Sequence, residues 1–189
     1  DDHAAHAMSC YSGRINVTPN LDRIANEGVR LDNCFCTNSI CTPSRATILT
    51  GKYPHINGAI TFNAMDPTHV TFPQLLRYSG YYTAIIGKWH LHADPVGFDY
   101  WNVLPGQGSY FDPDFNEMGR PKKYEGYVTD IITDLILETL ENRPKDQPFC
   151  MLYHHKAPHD RFLYDEKHAH LFADEDIPEP ENLFDDYAN

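Results

Sequence analysis

Apolar residues recur along this chain with two periods, one suited to helices and one to strands. Val128, Ile131, Ile132, Leu135 and Leu140 keep helical spacing, so residues 127–142 form the clearest predicted helix. Residues 72–79 predict a second, shorter helix that ends at Gly80. Leu21, Ile24 and Ala25 make a third apolar stripe, with Thr18 placed as N-cap, Pro19 at the first helical position and Gly28 at the C-terminal cap. Residues 43–50 read as a short helix closed by Gly51. Three further runs read as strands. Residues 29–35 alternate as a strand does, while 82–86 and 149–153 are compact apolar runs of the kind parallel sheets bury. The run at 82–86 stops at Gly87. Residues 93–125 carry Pro95, Pro105, Pro113, Pro121 and several glycines, and they predict irregular loops over an active-site face.

Strands separated by helices predict an α/β fold, with a largely parallel (mixed) central sheet flanked by helices. Ligands of such sheets bind beyond the carboxyl ends of the strands. That rule selects three segments, 36–45, 87–92 and 154–159. The chain shows no internal repeat and no low-complexity tract.

The length of 189 residues suits one domain or a large piece of one. A net charge of -12 argues against a nucleic-acid binder, which needs a basic face. Mean hydropathy is -0.52, and no apolar run approaches the ~20 residues of a membrane span. Thirteen per cent aromatic residues is too many for a disordered chain. The charge is uneven. Residues 165–189 hold nine acids and one base, whereas residues 1–100 hold eight acids and seven bases, so an anion-handling site belongs in the first part of the chain. The five cysteines, Cys10, Cys34, Cys36, Cys41 and Cys150, are an odd count that makes no tidy disulfide framework. CxxC is absent, and Cys34 and Cys36 would share one face of the strand predicted at 29–35.

The chemistry concentrates in Cys41-Thr42-Pro43-Ser44-Arg45-Ala46-Thr47-Ile48-Leu49-Thr50-Gly51. A Cys at a helix N-terminus has a depressed thiol pKa and stands where an anion is welcome. Arg45 lies one helical turn on and can hold that anion. The same residues also suit a buried Cys on a capped helix.

The whole run, Cys-x-Pro-Ser-Arg followed by x-x-x-Leu-Thr-Gly, resembles the signature of the type I, formylglycine-dependent sulfatases of the alkaline phosphatase superfamily. All fixed positions are present without a gap. The resemblance implies that Cys41 is oxidised to formylglycine, with Pro43 and Arg45 part of the recognition signal. It also implies a role for the aldehyde hydrate: one hydroxyl attacks sulfur and expels the alcohol, and loss of a proton from the other re-forms the aldehyde and releases sulfate. Asp1-Asp2 looks like the family's paired metal carboxylates, which with residue 41 as formylglycine would hold a hard cation, Ca²⁺ or else Mg²⁺. Gly87-Lys88-Trp89-His90-Leu91 resembles the segment in which Lys88 binds sulfate and His90 is the general base of hydrate collapse. Lys156-Ala157-Pro158-His159 resembles the segment supplying the histidine that binds sulfate and protonates the leaving group. His159 is the first choice for it and Lys156 the second, while His154 and His155 read as local structure or substrate rim.

The resemblance covers essentially the whole chain. It implies that residues 1–189 are the N-terminal part of a sulfatase catalytic domain, truncated at both ends and expected to be inactive alone. A further Asp-Asn or Asp-His metal pair and another sulfate-binding Lys are expected beyond it. Gly97-Phe98-Asp99-Tyr100-Trp101, Leu104-Pro105-Gly106-Gln107-Gly108 and residues 155–180 look most like carbohydrate sulfatases, in particular the N-acetylglucosamine-6-sulfatase and mucin-desulfating group. A sulfated glycan, such as a glycosaminoglycan or mucin sugar, is therefore the expected substrate. A formylglycine-generating or anaerobic sulfatase-maturating enzyme is the expected partner. Such substrates imply a periplasmic or secreted bacterial protein, or a lysosomal one in a eukaryote. Two alternatives stand beside this reading: a phosphonate monoester or phosphodiester hydrolase of the same superfamily, and a catalytically incomplete binding relative.

Overall fold

A computed structural model describes residues 2–13, 15–180 and 182–186, so Asp1, a predicted metal ligand, lies outside the described residues. The chain divides into two compact units, one formed by Phe35–His159 and the other by residues 2–34 with the residues after 159.

The second unit contains helix α1, Pro19–Glu27, and two 3-10 turns, Ala5–Ala7 and Glu166–His168. Thr18 is the N-cap of α1, but its hydroxyl turns away from the helix amides and donates to Asp22 Oδ1 at 3.2 Å. Ser9 Oγ donates to the other oxygen of Asp22 at 2.7 Å, so the three side chains lock the chain before α1 to its first turn. Gly28 donates to the Ile24 carbonyl and ends the helix with φ -125°, without the left-handed conformation expected of a glycine cap. The strand predicted over 29–35 does not form: residues 28–35 are all exposed and belong to no ladder. Alternation marks two faces, but a strand also needs a partner to take its backbone groups. Here Arg30 instead folds back, pairing with Asp32 at 2.8 Å and donating to the Cys10 carbonyl. Cys34 and Cys36 therefore share no strand face, and both are exposed.

The first unit holds α2 (Cys41–Thr50), α3 (Pro54–Asn57), α4 (Phe72–Tyr78), β1 (Tyr82–Lys88), β2 (Tyr100–Leu104), β3 (Asp114–Glu117), β4 (Arg120–Lys123), α5 (Val128–Asn142) and β5 (Phe149–His154). The strands form one mixed sheet in the order β4-β3-β2-β1-β5. It is parallel where β2, β1 and β5 meet and antiparallel from β2 to β4. Three strands thus run through the region predicted to be irregular. Tyr100-Trp101-Asn102-Val103-Leu104 has the aromatic and β-branched character of a strand, but Asn102 interrupts its apolar run. That polar side chain is fully buried and donates to Tyr124 Oη at 2.9 Å. β3 and β4 are joined by Met118-Gly119, both at positive φ (51° and 85°), as a two-residue hairpin turn requires.

Strand β1, flanked by β2 and β5, separates two apolar layers. Ile85 packs with Ala46, Leu49, Trp89, Trp101 and Val103 on one face, and Ile86 packs with Leu104, Phe115, Val128, Ile132 and Leu135 on the other. Successive residues of a strand point to opposite faces, so two adjacent isoleucines serve both layers. β5 is an edge strand and is half-buried rather than buried as predicted, because only β1 flanks it among the described strands. β1 does not stop at Gly87. It continues to Lys88, with Gly87 at φ 101° and paired with His154. A Cβ there would collide with the His154 carbonyl, so only glycine lets the two strands close at this end. Parallel pairing then delivers Lys88 and His154 to the same end of the sheet.

Candidate active site

Helix α2 begins at Cys41, two residues before Pro43, and ends on Gly51 in the left-handed conformation (φ 66°). Ala46 and Leu49 bury one side of the helix in the core, which fixes its axis. Thr42 fixes its start, donating from a fully buried hydroxyl to the His90 carbonyl at 3.0 Å. The loop after β1 is thereby held against the head of α2. His90 and His92 both adopt positive φ (52° and 57°), a strained conformation for residues with side chains. Trp89 anchors this loop by donating from its indole nitrogen to the Ala93 carbonyl at 2.6 Å.

These restraints bring the predicted residues together. Cys41 Sγ lies 3.3 Å from His90 Nδ1. Arg45 Nη1 donates to the Lys88 carbonyl at 2.7 Å and lies 3.0 Å from His154 Nδ1. The Lys88 side chain is fully buried. His90 is pushed down to about 4, first by burial and then by the charges of Lys88, His92, Arg45 and His159. The influence of His159 puts it in the same electrostatic neighbourhood as His90. Burial also lowers Arg45 to about 10, partly offset by its electrostatic interaction with Cys41, and it remains a cation at neutral pH. The neighbourhood of Cys41 is therefore cationic, with a neutral imidazole against the sulfur. That arrangement suits an anionic ligand held beside residue 41 and a proton exchanged with the atom at the Sγ position.

The 156–159 segment is clasped by the loop after β2. Lys156 is buried, donates to the Gln107 carbonyl at 3.1 Å and lies 4.7 Å above the Tyr110 ring. The Tyr110 hydroxyl donates to the His159 carbonyl. Asp2 is exposed, with φ 56°. Among the described residues, no three His, Cys, Asp or Glu side chains converge as a cation site. The described donors at Cys41 are a thiol, an imidazole and two cations, and by themselves they do not fit a hard divalent ion.

Sequence reasoning missed His154 and Thr42. His154 reads as local structure, yet it touches Arg45, and the signal for it was its place at the carboxyl end of a predicted strand. Thr42 occupies a variable position of the signature and carried no signal at all.

A sheet flanked by helices, with a Cys-Arg-Lys-His cluster at the carboxyl ends of its strands, defines the class. A sulfatase family model matches residues 1–189, and the chain belongs to that family. Members of the family generally use formylglycine and a divalent metal. Among particular relatives, the chain is 54% identical to an N-acetylglucosamine-6-O-sulfatase of Bacteroides thetaiotaomicron, covering 99% of this chain and 34% of that protein. It is 32% identical to human steryl-sulfatase over 62% of its own length and 26% of the relative's. It also resembles a protein solved in complex with its substrate D-glucosamine-2-N,6-O-disulfate, with a TM-score of 0.96 and 53% identity over 99% of this chain and 39% of that one. The chain thus spans about a third of the length of the first of these relatives.

Proposed function

We propose that this chain is part of a sulfuric ester hydrolase that removes sulfate from a sulfated glycan, with N-acetylglucosamine-6-sulfate or a related glycosaminoglycan or mucin sugar as substrate. The observation that carries this reading is the Cys41–His90 contact of 3.3 Å at the head of a helix whose Arg45 reaches the end of β1. The identity with the Bacteroides N-acetylglucosamine-6-O-sulfatase and the likeness to the glucosamine disulfate complex support the choice of sugar.

In this reading a maturating enzyme converts Cys41 to formylglycine, whose hydrate supplies the nucleophilic oxygen. Arg45 and Lys88 hold the anion and offset its charge. His90 accepts a proton at the position now taken by Sγ, and its neutral state at pH 7 leaves a lone pair for that purpose. His159 serves the leaving oxygen. Lys156, already donating to the Gln107 carbonyl, is the second candidate for the sulfate. Ca²⁺, or else Mg²⁺, is assigned to Asp1, Asp2 and the modified residue 41 on the family resemblance and on the affinity of hard cations for carboxylate oxygen. The cell compartment follows from the substrate: periplasm or exterior for a bacterial protein, lysosome for a eukaryotic one.

The test uses full-length protein from a host able to make formylglycine. Mass spectrometry of the Cys41 peptide is expected to show the aldehyde, and turnover is expected on a 6-O-sulfated N-acetylglucosamine. An intact thiol in active enzyme would sink the mechanism. Faster cleavage of an aryl phosphodiester than of any sulfate ester would favour a phosphodiesterase instead.

A further inference from the structure

The side chain of His154 reaches the site from β5, the strand farthest from the signature in sequence. Three atoms meet there in a near-equilateral triangle: Arg45 Nη1, His154 Nδ1 and the Lys88 carbonyl oxygen, separated by 2.7, 3.0 and 3.1 Å. Two tautomers of His154 are open, one whose Nδ1–H donates to the Lys88 oxygen at 3.1 Å and one whose bare Nδ1 faces that oxygen and accepts from Arg45, and the charge-assisted bond from Arg45 favours the second. Arg45 Nη1 has two hydrogens and no acceptor. The Lys88 oxygen takes one of them. If His154 were protonated at Nδ1, an N–H would face a cationic N–H across 3.0 Å. With the proton on Nε2, Nδ1 offers a lone pair and receives the second hydrogen.

We infer that His154 is a positioning residue, a neutral Nε2–H tautomer whose Nδ1 and the Lys88 carbonyl together fix Arg45 Nη1 and with it the orientation of the guanidinium toward the anion. This rests on the sulfatase reading only for what the anion is. The Gly87–His154 pairing gives the device its rigidity, since the two strands close on each other where His154 projects. The orientation of Arg45 is thus set by β1 and β5 as well as by its own helix.

Three forms of full-length protein test this: wild type, His154→Leu and His154→Asn. Asn places an oxygen acceptor where Nδ1 stands and serves as the conservative variant. Rates are normalised to aldehyde-bearing polypeptide in the soluble, cooperatively unfolding fraction, so neither incomplete modification nor loss of folded protein is counted as loss of rate. His154→Leu is expected to lower kcat by about 10- to 100-fold, the effect of a lost charge-assisted hydrogen bond, with a smaller change in KM. His154→Asn is expected to recover most of that loss. Equal kcat in all three proteins, or equal losses in both variants, would overturn the inference. A second measurement does not depend on activity: nitrogen-15 NMR of histidine-labelled wild type is expected to show His154 protonated at Nε2 alone at neutral pH. A proton at Nδ1 would overturn the inference even in an active sulfatase. An Nε2–H signal in a protein that cleaves no sulfate ester would uphold the inference and count against the sulfatase reading.

Discussion

At the scale of single residues, two positions at the end of the sheet carry consequences for stability. Gly87 has both a positive φ and the His154 carbonyl where a Cβ would go. Gly87→Ala is therefore expected to cost about 2–4 kcal/mol, through strain and the forced separation of β1 from β5, read as a fall in the urea midpoint. His154 is pushed down to about 4, chiefly by burial and then by Arg45, against the raising effect of the Lys88 carbonyl. The unfolded chain regains the ordinary value near 6.5, so as pH falls it takes up this proton before the folded chain does. Stability from the neutral ring is complete above about pH 6.5 and drains away down to about pH 4, by up to ~3 kcal/mol. Urea midpoints at about pH 7.5 and pH 5 are expected to show this fall in wild type and a shallower one in His154→Asn. The sequence made Cys41, Arg45, Lys88 and His90 legible because the signature fixes them by spacing. His154 was not legible, because its role depends on which strands become neighbours.

At the scale of elements, the helices were easier to read than the strands. α5 and α4 carry their own periodicity, and α2 carries Pro43 near its start and Gly51 at its end. Strand identity depends on partners. The alternation of 29–35 found none, whereas β2 formed despite a central Asn102 because β1 and β3 lie on either side of it. The β3–β4 hairpin could have been read from Met118-Gly119 between two short runs. Gly119 sits at φ 85° with open space around its would-be Cβ, so Gly119→Ala should cost only the backbone term, about 1–2 kcal/mol. Comparing its thermal midpoint with that of Gly87→Ala separates strain alone from strain plus collision.

At the scale of the whole molecule, the distribution of charge fits the proposed chemistry. The net charge is -12, yet residues 165–189 hold nine acids against one base, and the cluster around Cys41 is cationic. Full-length enzyme treated with a calcium chelator is expected to lose turnover of sulfate esters and to regain it when Ca²⁺ is restored. Undiminished turnover after exhaustive chelation would remove the metal from the scheme. The two sides of the sheet differ in a way that constrains assembly. β4 presents Arg120, Pro121, Lys122 and Lys123, all exposed, so an incoming strand there meets three positive charges and a residue with no amide hydrogen. β5 presents Phe149-Cys150-Met151-Leu152-Tyr153-His154 and has no such guard. Among the described strands β5 is therefore the edge more open to a further strand, and a strand added there would dock beside the residue that orients Arg45.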